Sequence, residues 1–324
     1  MTIRELLHGL KHPENRGENL VALGYVAGWR MVRLLPLPVA RRLFNLGADL
    51  ASKNGKGMPQ LRANLARVVG AENVTDELIC ASVRSYARYW LEAFRLPSMT
   101  GDADLHDRLV AGMVGMDQLD AALQSGRGVI LTLPHTGNWD MAGTFLVGHH
   151  GQFTTVAERV KPEALFNAFV DFRQSLGFDV LALTGGQTPP FAQLKEVLEA
   201  GGVVCLMGER DLRKSGVPTM FFGEQTSMPA GPALLAMETG AALHVAHSWF
   251  DGDTGWGFSV SDEVDVDDLP TTVQRLADLF AANIAAHPED WHMLQPLWFS
   301  DLDQDRGPNS WSADTLDNSV EEED

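Results

Sequence analysis

His135 and Asp140 are the residues whose types and spacing best suit acid–base chemistry. They lie in the segment Pro134–Asp140, directly after an apolar run. A carboxylate at this spacing can turn back and accept a proton from one imidazole nitrogen, which leaves the other nitrogen as a base. Gly137 and Asn138 add backbone N–H groups where a helix begins, a place that can receive an oxyanion. The competing interpretation is a turn histidine and a helix-capping aspartate.

Six short apolar runs bounded by glycine or proline predict strands. They are residues 128–133, 153–156, 179–183, 202–207, 241–247 and 256–260. Helical patterns separate them, at residues 139–149, 162–176, 188–200, 229–239 and 271–287. This alternation predicts an α/β fold with a mixed central sheet flanked by helices. Such folds bind ligands at the carboxyl ends of their strands, which is where His135 is expected to lie.

Three regions differ in pattern and predict the domain organisation. Residues 1–100 are mostly helical in pattern, with a helix that starts at the capping residue Thr75 and stops near Pro97. We expect them to form a helical extension packed on an α/β domain of residues 101–300. Residues 301–324 are acidic and poor in apolar side chains, which predicts a disordered tail.

Charge is distributed unevenly along the chain. The net charge is −18, which argues against nucleic-acid binding. Residues 1–70 nevertheless contain eleven Lys or Arg and four acids, interleaved with apolar residues. The uninterrupted apolar stretch at residues 20–29 is shorter than the roughly 20 residues that span a bilayer. We therefore expect a peripheral protein on the cytoplasmic face of the membrane, bound to anionic lipid through these basic helices. Solvated helix faces are the simpler alternative.

Little in the sequence indicates a secretory leader, a disulfide or a metal site. The first nineteen residues are polar and mixed, so no secretory signal is expected. With two cysteines, Cys80 and Cys205, no disulfide framework is expected. The histidines at 149, 150, 244 and 247 lack a carboxylate or cysteine at familiar ligand spacing, so we expect no metal.

The segment from His135 to Asp140 matches the HX4D motif of glycerolipid-type acyltransferases. Its surroundings resemble the branch that contains lipid A secondary acyltransferases and phosphatidylinositol mannoside acyltransferases. Three further blocks agree with that branch, and a helical segment resembles the mannoside enzymes in particular. The blocks are residues 155–166, 202–212 and 221–232, and the helical segment is residues 85–97. Four blocks in order make the resemblance specific, although HX4D alone is a weak pattern.

The resemblance implies transfer of a long acyl group, such as palmitoyl, from acyl-CoA. The implied acceptor is the 6-hydroxyl of the mannose on inositol O2 of phosphatidylinositol mono- or dimannosides. A sugar hydroxyl is a poor nucleophile at neutral pH, so it needs a base, which His135 can supply while Asp140 orients the ring. A thioester is already activated, so direct attack needs no covalent acyl-enzyme. Acyl-CoA is then a co-substrate, and no cofactor is expected.

Other charged residues are candidates for the same site. By resemblance, Glu209 is a second carboxylate near the histidine, and Arg210 is a positive group near a phosphate or carbonyl oxygen. These two and Asp211 follow the strand predicted at residues 202–207. A structural salt-bridge cluster is an equally good explanation.

A second group of candidates follows the strand predicted at residues 153–156. Glu158 and Arg173 are expected to form an ion pair, or Arg173 to contact the acceptor phosphate. Arg159 and Lys161 are possible phosphate contacts at a mouth that must hold CoA, with solvated charge as the simpler explanation.

Three other functions are compatible with the sequence. One is another lipid A-type secondary acyltransferase. A second is an acyl-CoA thioesterase or hydrolase that uses the same residues on water. The third is a non-catalytic peripheral membrane protein in which His135 is structural.

Overall fold

The computed structural model describes residues 31–159, 163–185, 188–211 and 216–302, together with Gly24 and Gly28. These ranges contain nine strands: β1 (Met113–Val114), β2 (Val129–Leu133), β3 (Thr154–Ala157), β4 (Asp179–Ala182), β5 (Val203–Met207), β6 (Val217–Phe221), β7 (Glu224–Met228), β8 (Ala242–Asp251) and β9 (Gly255–Val260).

The same ranges contain ten bounded α-helices: α1 (Leu37–Ala51), α2 (Pro59–Val69), α3 (Asp76–Met99), α4 (Leu105–Ala111), α5 (Met116–Gln124), α6 (Trp139–His149), α7 (Glu163–Ser175), α8 (Pro190–Glu199), α9 (Gly231–Thr239) and α10 (Leu269–Ala286). A short 3₁₀ turn at Pro288–Asp290 follows α10.

Seven strands form one sheet in the order β1-β9-β8-β2-β5-β3-β4. Strands β8, β2, β5, β3 and β4 are parallel, β9 is antiparallel to β8, and β1 is parallel to β9. Strands β6 and β7 form a separate antiparallel hairpin. The sheet is therefore mixed and mostly parallel, as predicted. Parallel pairing brings the carboxyl ends of β2, β5 and β3 to one edge of the sheet.

Both faces of the sheet are covered by helices. Along β2, Leu131 and Leu133 belong to one apolar core and Ile130 to the other, because successive side chains of a strand point to opposite faces. The first core includes residues of α3, α4, α5, α6 and α7. The second includes residues of α8, α9 and α10 and the buried Trp291 and Trp298. A third, smaller core joins α1, α2 and α3.

The six predicted strands and the five predicted helices of the α/β region are all present, with small shifts at their ends. Helix α3 starts after Thr75, whose Oγ1 accepts a hydrogen bond from the Leu78 N–H, and it ends near Pro97 as predicted. Strands β1, β6 and β7 were not predicted. In β6 only alternate residues are buried, and a proline and a threonine interrupt its apolar pattern, so it does not form an apolar run.

The N-terminal region is described only in part. The amphipathic stretch at residues 20–29 lies outside the described residues apart from Gly24 and Gly28. Helix α1 packs on α3, and Arg33 Nε donates a hydrogen bond to the Phe94 carbonyl. Among the described helices, none has the length and apolar character needed to cross a membrane.

The acidic tail begins against α2. Asp301 accepts hydrogen bonds from Arg67, at 2.7 and 2.9 Å, and from Gln60 Nε2 at 3.0 Å. The remainder of the predicted disordered tail, residues 303–324, lies outside the described residues.

Candidate active site

The loop between β2 and α6 carries His135 and is fixed through its backbone. The His135 carbonyl accepts from the His292 N–H at 2.8 Å, and the Gly137 N–H donates to the Asp290 carbonyl at 2.9 Å. A Cβ on Gly137 would lie 2.6 Å from the Ser248 backbone, at a φ of +51°, so this position requires glycine. The Gly137 N–H was expected to be available to an oxyanion. Its bond to Asp290 corrects that expectation.

Glu209 is the carboxylate that holds His135. Its Oε1 accepts from the His135 backbone N–H at 2.6 Å and is 2.7 Å from Nδ1. The Glu209 side chain is fully buried, whereas that of His135 is 32% exposed. Because a carboxylate accepts hydrogen bonds, Nδ1 carries the proton and Nε2 is left unprotonated. The arrangement can therefore act as a general base with a fixed tautomer.

Asp140 contacts residues other than His135. Its Oδ1 accepts from Arg173 Nε at 2.8 Å, and its Oδ2 accepts from the Tyr89 hydroxyl at 2.9 Å. The described contacts include no hydrogen bond between Asp140 and His135, which corrects the expectation that Asp140 orients the ring. The physical reason is that Asp140, in the first turn of α6, is held by α3 and α7, whereas Glu209 reaches Nδ1 from the end of β5.

The ion pair at Asp140 is electrostatically strong. Burial on its own lowers the pKa of Arg173, but the negative charge of Asp140 and the hydrogen bond to it, with a contribution from the Tyr89 hydroxyl, outweigh burial, so the pKa is raised. Burial and the negative charge of Asp140 raise the pKa of Tyr89 well above its usual value. Arg173 is therefore charged and Tyr89 is protonated at neutral pH. Glu158, the other expected partner of Arg173, is exposed and forms no ion pair with any described residue.

Asn138 is structural in this geometry. Its side chain is fully buried, its Oδ1 accepts from the Met141 N–H at 3.0 Å, and its Nδ2 donates to Glu92 Oε2 at 2.8 Å. Glu92 Oε2 also accepts from Trp256 Nε1 at 2.7 Å. Both polar atoms of the Asn138 side chain are thus used within the protein. The expectation for Asn138 concerned its backbone N–H at an oxyanion, and it stays a prediction.

Sequence reasoning did not find the polar residues that α3 contributes to the site. Ser85, Tyr89 and Glu92 lie four and three residues apart, so they share one face of the helix. They are all buried, and they contact Asp290, Asp140 and Asn138, respectively. The signal was present in the sequence as three polar residues at helical spacing within an aromatic segment.

His292 supports the same region as a neutral side chain. Its Nε2 is 3.0 Å from Ser85 Oγ, which also donates to Asp290 Oδ1 at 2.6 Å. Burial, with a contribution from the charge of His135, lowers the pKa of His292 to about 3. A positive charge therefore does not develop on His292 at neutral pH.

A cavity of about 310 Å³ opens beside His135. This volume is at the lower end of the range for ligand sites. His135, Asp140, Arg173 and Glu158 are among its lining residues, and the rest of the lining is mainly apolar. The aromatic residues Phe166, Phe169 and Phe172 line it, whereas Phe221, Phe222 and Phe191 belong to or pack against the core on the other face of the sheet.

Comparison with known proteins identifies the family of this chain. Residues 12–300 match the profile of the bacterial lipid A biosynthesis acyltransferases. The chain belongs to this family. It is therefore an acyltransferase.

Curated relatives match nearly the whole chain of this acyltransferase. A phosphatidylinositol mannoside acyltransferase of Mycolicibacterium smegmatis is 56% identical over 296 residues, which covers 90% of this chain and 95% of that protein. A phosphatidylinositol mannoside acyltransferase of Mycobacterium tuberculosis (strain H37Rv) is 53% identical over 310 residues, which covers 93% of this chain and 96% of that protein.

Two of the remaining candidates lie after Glu209 in the acyltransferase. Arg210 is partly exposed and its guanidinium donates to the Gln295 side chain. Asp211 Oδ2 accepts from the Gly216 N–H at 3.0 Å and from Ser227 Oγ at 2.9 Å, so it ties this segment to β7.

The predicted phosphate contacts lie at the surface. Arg159 is exposed and pairs with Glu163 at 2.6 Å, in the first turn of α7. Lys161 lies outside the described residues.

Proposed function

We propose that this acyltransferase moves a long-chain acyl group, palmitoyl by preference, from acyl-CoA to phosphatidylinositol mono- or dimannosides. The acceptor group is the 6-hydroxyl of the mannose on inositol O2. Identity of 53–56% to phosphatidylinositol mannoside acyltransferases over at least 90% of the chain carries the proposal. The apolar cavity beside the His135–Glu209 pair supports it, because a long acyl chain needs apolar surroundings next to the base.

The reaction proceeds by direct attack on the thioester. His135 Nε2 removes the proton from the mannose hydroxyl as the oxygen attacks the acyl carbonyl. The resulting imidazolium is stabilised by Glu209 through Nδ1. When the tetrahedral intermediate collapses, the C–S bond breaks and CoA leaves as a thiolate, which takes the proton from His135. An ester and CoA–SH are formed, and the protein is returned unchanged.

The charged residues bind the polar groups of the two substrates. Arg173, held by Asp140, contacts the acceptor headgroup together with Glu158 at the cavity mouth. Arg159 and Arg210 lie farther along the same edge, where the phosphates of CoA or of the acceptor lie. Arginine suits these positions because its planar guanidinium binds phosphate in a bidentate manner.

The N-terminal helices hold the protein on the cytoplasmic face of the membrane, where both lipid substrates are reached. Helix α1 presents an exposed apolar face that includes Leu43, Leu46 and Leu50, at helical spacing, and the adjacent Arg42 is also exposed. An apolar helix face bordered by basic residues is typical of interfacial binding to anionic lipid.

Mass spectrometry of products from purified protein, palmitoyl-CoA and mono- or dimannosylated phosphatidylinositol tests the function. We expect an acylated mannoside that His135→Ala does not form. Acyl-CoA loss that is unchanged by the acceptor would instead indicate a thioesterase, and transfer only to lipid A precursors would indicate another branch of the family. A protein whose His135→Ala variant leaves lipid acylation and cellular glycolipids unchanged would be non-catalytic.

A further inference from the structure

Residues 290–292 pair with the loop that carries His135. Their backbone donates a hydrogen bond to the His135 carbonyl at 2.8 Å and accepts one from the Gly137 N–H at 2.9 Å. Between these two bonds, Thr136 and Trp291 form an antiparallel bridge. The segment therefore contacts the loop on both sides of Thr136, and the position of the loop depends on what holds the segment.

The side chain of Asp290 holds this segment in place. It is 3% exposed, and its two carboxylate oxygens have different partners. Oδ1 accepts a hydrogen bond from the Ser85 hydroxyl at 2.6 Å, and Oδ2 accepts one from the Phe250 N–H at 2.8 Å. Ser85 belongs to α3 and Phe250 to β8. One buried carboxylate therefore joins α3 and β8 to the segment that pairs with the loop of His135.

Strand β8 also holds the middle of the loop directly. Ser248 Oγ donates a hydrogen bond to the Thr136 carbonyl at 2.6 Å. That contact does not fix the His135 carbonyl or the Gly137 N–H, whose partners lie in residues 290–292. If this segment moves, the peptide groups on both sides of Thr136 can tilt, and the ring of His135 moves with them.

We propose that Asp290 is a positioning residue for acyl transfer: by tying residues 290–292 to α3 and β8, its carboxylate keeps Nε2 of His135 at the reacting hydroxyl. The inference rests on the proposed role of His135 as the base. Asp290 is not among the described residues that line the cavity, so it acts through the loop. Displacement of a reacting group by about 1 Å can reduce a rate roughly 100-fold. Loss of the carboxylate should therefore reduce kcat while the cavity still binds acyl-CoA.

The kinetic test compares Asp290→Ala with Asp290→Asn. The alanine variant loses both hydrogen bonds. In the asparagine variant, the amide oxygen can accept from the Phe250 N–H and the amide N–H₂ can donate to the Ser85 oxygen. We expect kcat of palmitoyl transfer to fall about 100-fold in Asp290→Ala and to stay within a few-fold of the wild type in Asp290→Asn. Titration calorimetry with palmitoyl-CoA counts the binding sites, and kcat is expressed per site, so unfolded protein does not contribute to the loss.

Hydrogen exchange measures the position of the loop without any substrate. The N–H groups of His135 and Gly137 are hydrogen-bonded, so they exchange only when the loop opens. In Asp290→Ala we expect them to exchange roughly tenfold faster or more, while the amides of β2 keep their wild-type rates. Mass spectrometry of peptides from the two regions provides the measurement. Equal acceleration in β2 would indicate a general loss of stability and contradict the inference.

Asp268→Ala is the matched control. Asp268 also accepts hydrogen bonds from a backbone N–H and a hydroxyl, here both of Thr271, at 3.0 and 2.8 Å. It caps α10 at the protein surface, so its loss should change neither kcat per site nor exchange of the loop. If Asp290→Ala changes these no more than Asp268→Ala does, the inference is wrong. Should Asp290→Ala fail to fold by near-ultraviolet circular dichroism, Ser85→Ala, which removes one of the two bonds, is measured instead, with losses expected in the same direction.

The two measurements separate this inference from the proposed function. Faster exchange of the loop in Asp290→Ala, in a protein that acylates no mannoside, would uphold the role of Asp290 and reject the proposed acceptor. Palmitoyl transfer to the mannoside by the wild type, with loop exchange and kcat per site unchanged in Asp290→Ala, would do the reverse. A loss of kcat in Asp290→Asn with wild-type loop exchange would show that the charge of Asp290 acts in the reaction itself, and it would also contradict the inference.

Discussion

Glu209 accepts two hydrogen bonds from a single residue, the backbone N–H and Nδ1 of His135, through the same carboxylate oxygen. The first bond fixes the position of the backbone where β2 ends, and the second fixes the orientation and tautomer of the ring. One buried carboxylate therefore sets both where the base lies and which nitrogen acts.

Glu209→Gln removes the negative charge while keeping the shape of the side chain. The amide oxygen can still accept from the backbone N–H of His135, but it cannot stabilise an imidazolium as a carboxylate does. We expect kcat to fall by roughly 100- to 10,000-fold with little change in KM for acyl-CoA, since the loss affects proton transfer and not binding. Steady-state kinetics of palmitoyl transfer provides the measurement.

Glu158→Gln is the matched control for this change. Glu158 also lines the cavity but is exposed and does not contact His135. It should alter KM for the mannoside and leave kcat within a few-fold of the wild type. Equal losses of kcat in the two variants would contradict the role assigned to Glu209.

His135 and Glu209 could be predicted from the sequence to lie at the same edge of the sheet. Each follows an apolar run, and the two runs form neighbouring parallel strands. The sequence could not show which carboxylate contacts the ring. The spacing from His135 to Asp140 crosses a turn between a strand and a helix, and the rotation of α6 is set by its packing against α3 and α7. The same holds for Tyr89, whose hydroxyl reaches Asp140 only once α3 has packed on the sheet. Tertiary packing, which local spacing does not encode, decides these contacts.

The strands of the main sheet were predictable for a related reason. β2 is buried along its whole length and β5 at Val203 and Val204. Each is a short apolar run with clear ends, β2 between Gly128 and Pro134 and β5 between Gly202 and Gly208. Strand β6 buries alternate residues only, and the hairpin of β6 and β7 contains Pro218, Thr219 and Thr226, so its pattern is indistinct in the sequence. Strand β1 has two residues, too few for any periodicity.

Asp140→Asn should destabilise the protein as well as reduce transfer. Arg173 would lose the counter-charge at 2.8 Å while remaining largely buried, its side chain 21% exposed. Removing one partner of a buried ion pair costs about 3–5 kcal/mol, and partial exposure places this pair towards the lower end. Tyr89→Phe removes one hydrogen bond to the same carboxylate and should cost about 1 kcal/mol. Urea unfolding measures both.

The double variant Asp140→Asn/Arg173→Gln tests the origin of that loss. Replacing both partners removes the unpaired charge, so the double variant should be less destabilised than the two single losses added together. Additive losses would show that the two side chains do not interact in solution.

His247 should make the folded protein less stable as the pH falls. Burial and the charge of His287 lower the pKa of His247 from 6.5 to about 3, so the folded protein keeps this ring neutral. The unfolded chain binds a proton on it below pH 6.5, and the folded protein does so only near pH 3. The free energy of unfolding therefore falls across that window, by about 1.4 kcal/mol per pH unit.

His247→Gln removes this dependence, and Gln can still bond to Thr136, whose Oγ1 is 2.9 Å from His247 Nδ1. We expect the free energy of unfolding to depend less steeply on pH in the variant than in the wild type. The difference in slope should be about 1.4 kcal/mol per pH unit between pH 6.5 and pH 3. His292, whose pKa is lowered in the same direction, is present in both proteins and cancels in the comparison. Parallel plots would mean that His247 titrates normally in the folded state.

Vesicle binding tests the exposed face of α1. Leu43, Leu46 and Leu50 are each more than half exposed, and burying such side chains in a bilayer interface is favourable by about 25 cal/mol per Å² of apolar surface. Replacing all three with serine should weaken binding at least tenfold, as measured by co-sedimentation with vesicles that contain phosphatidylinositol. For the wild type, binding should increase with the anionic lipid fraction and decrease with salt.

The control for this test replaces Val110, Val114 and Val266 with serine. These three valines are exposed on other elements, so their replacement should leave vesicle binding unchanged. Equal effects of the two triple substitutions, or binding indifferent to salt and lipid charge, would show that α1 is not the surface that meets the membrane.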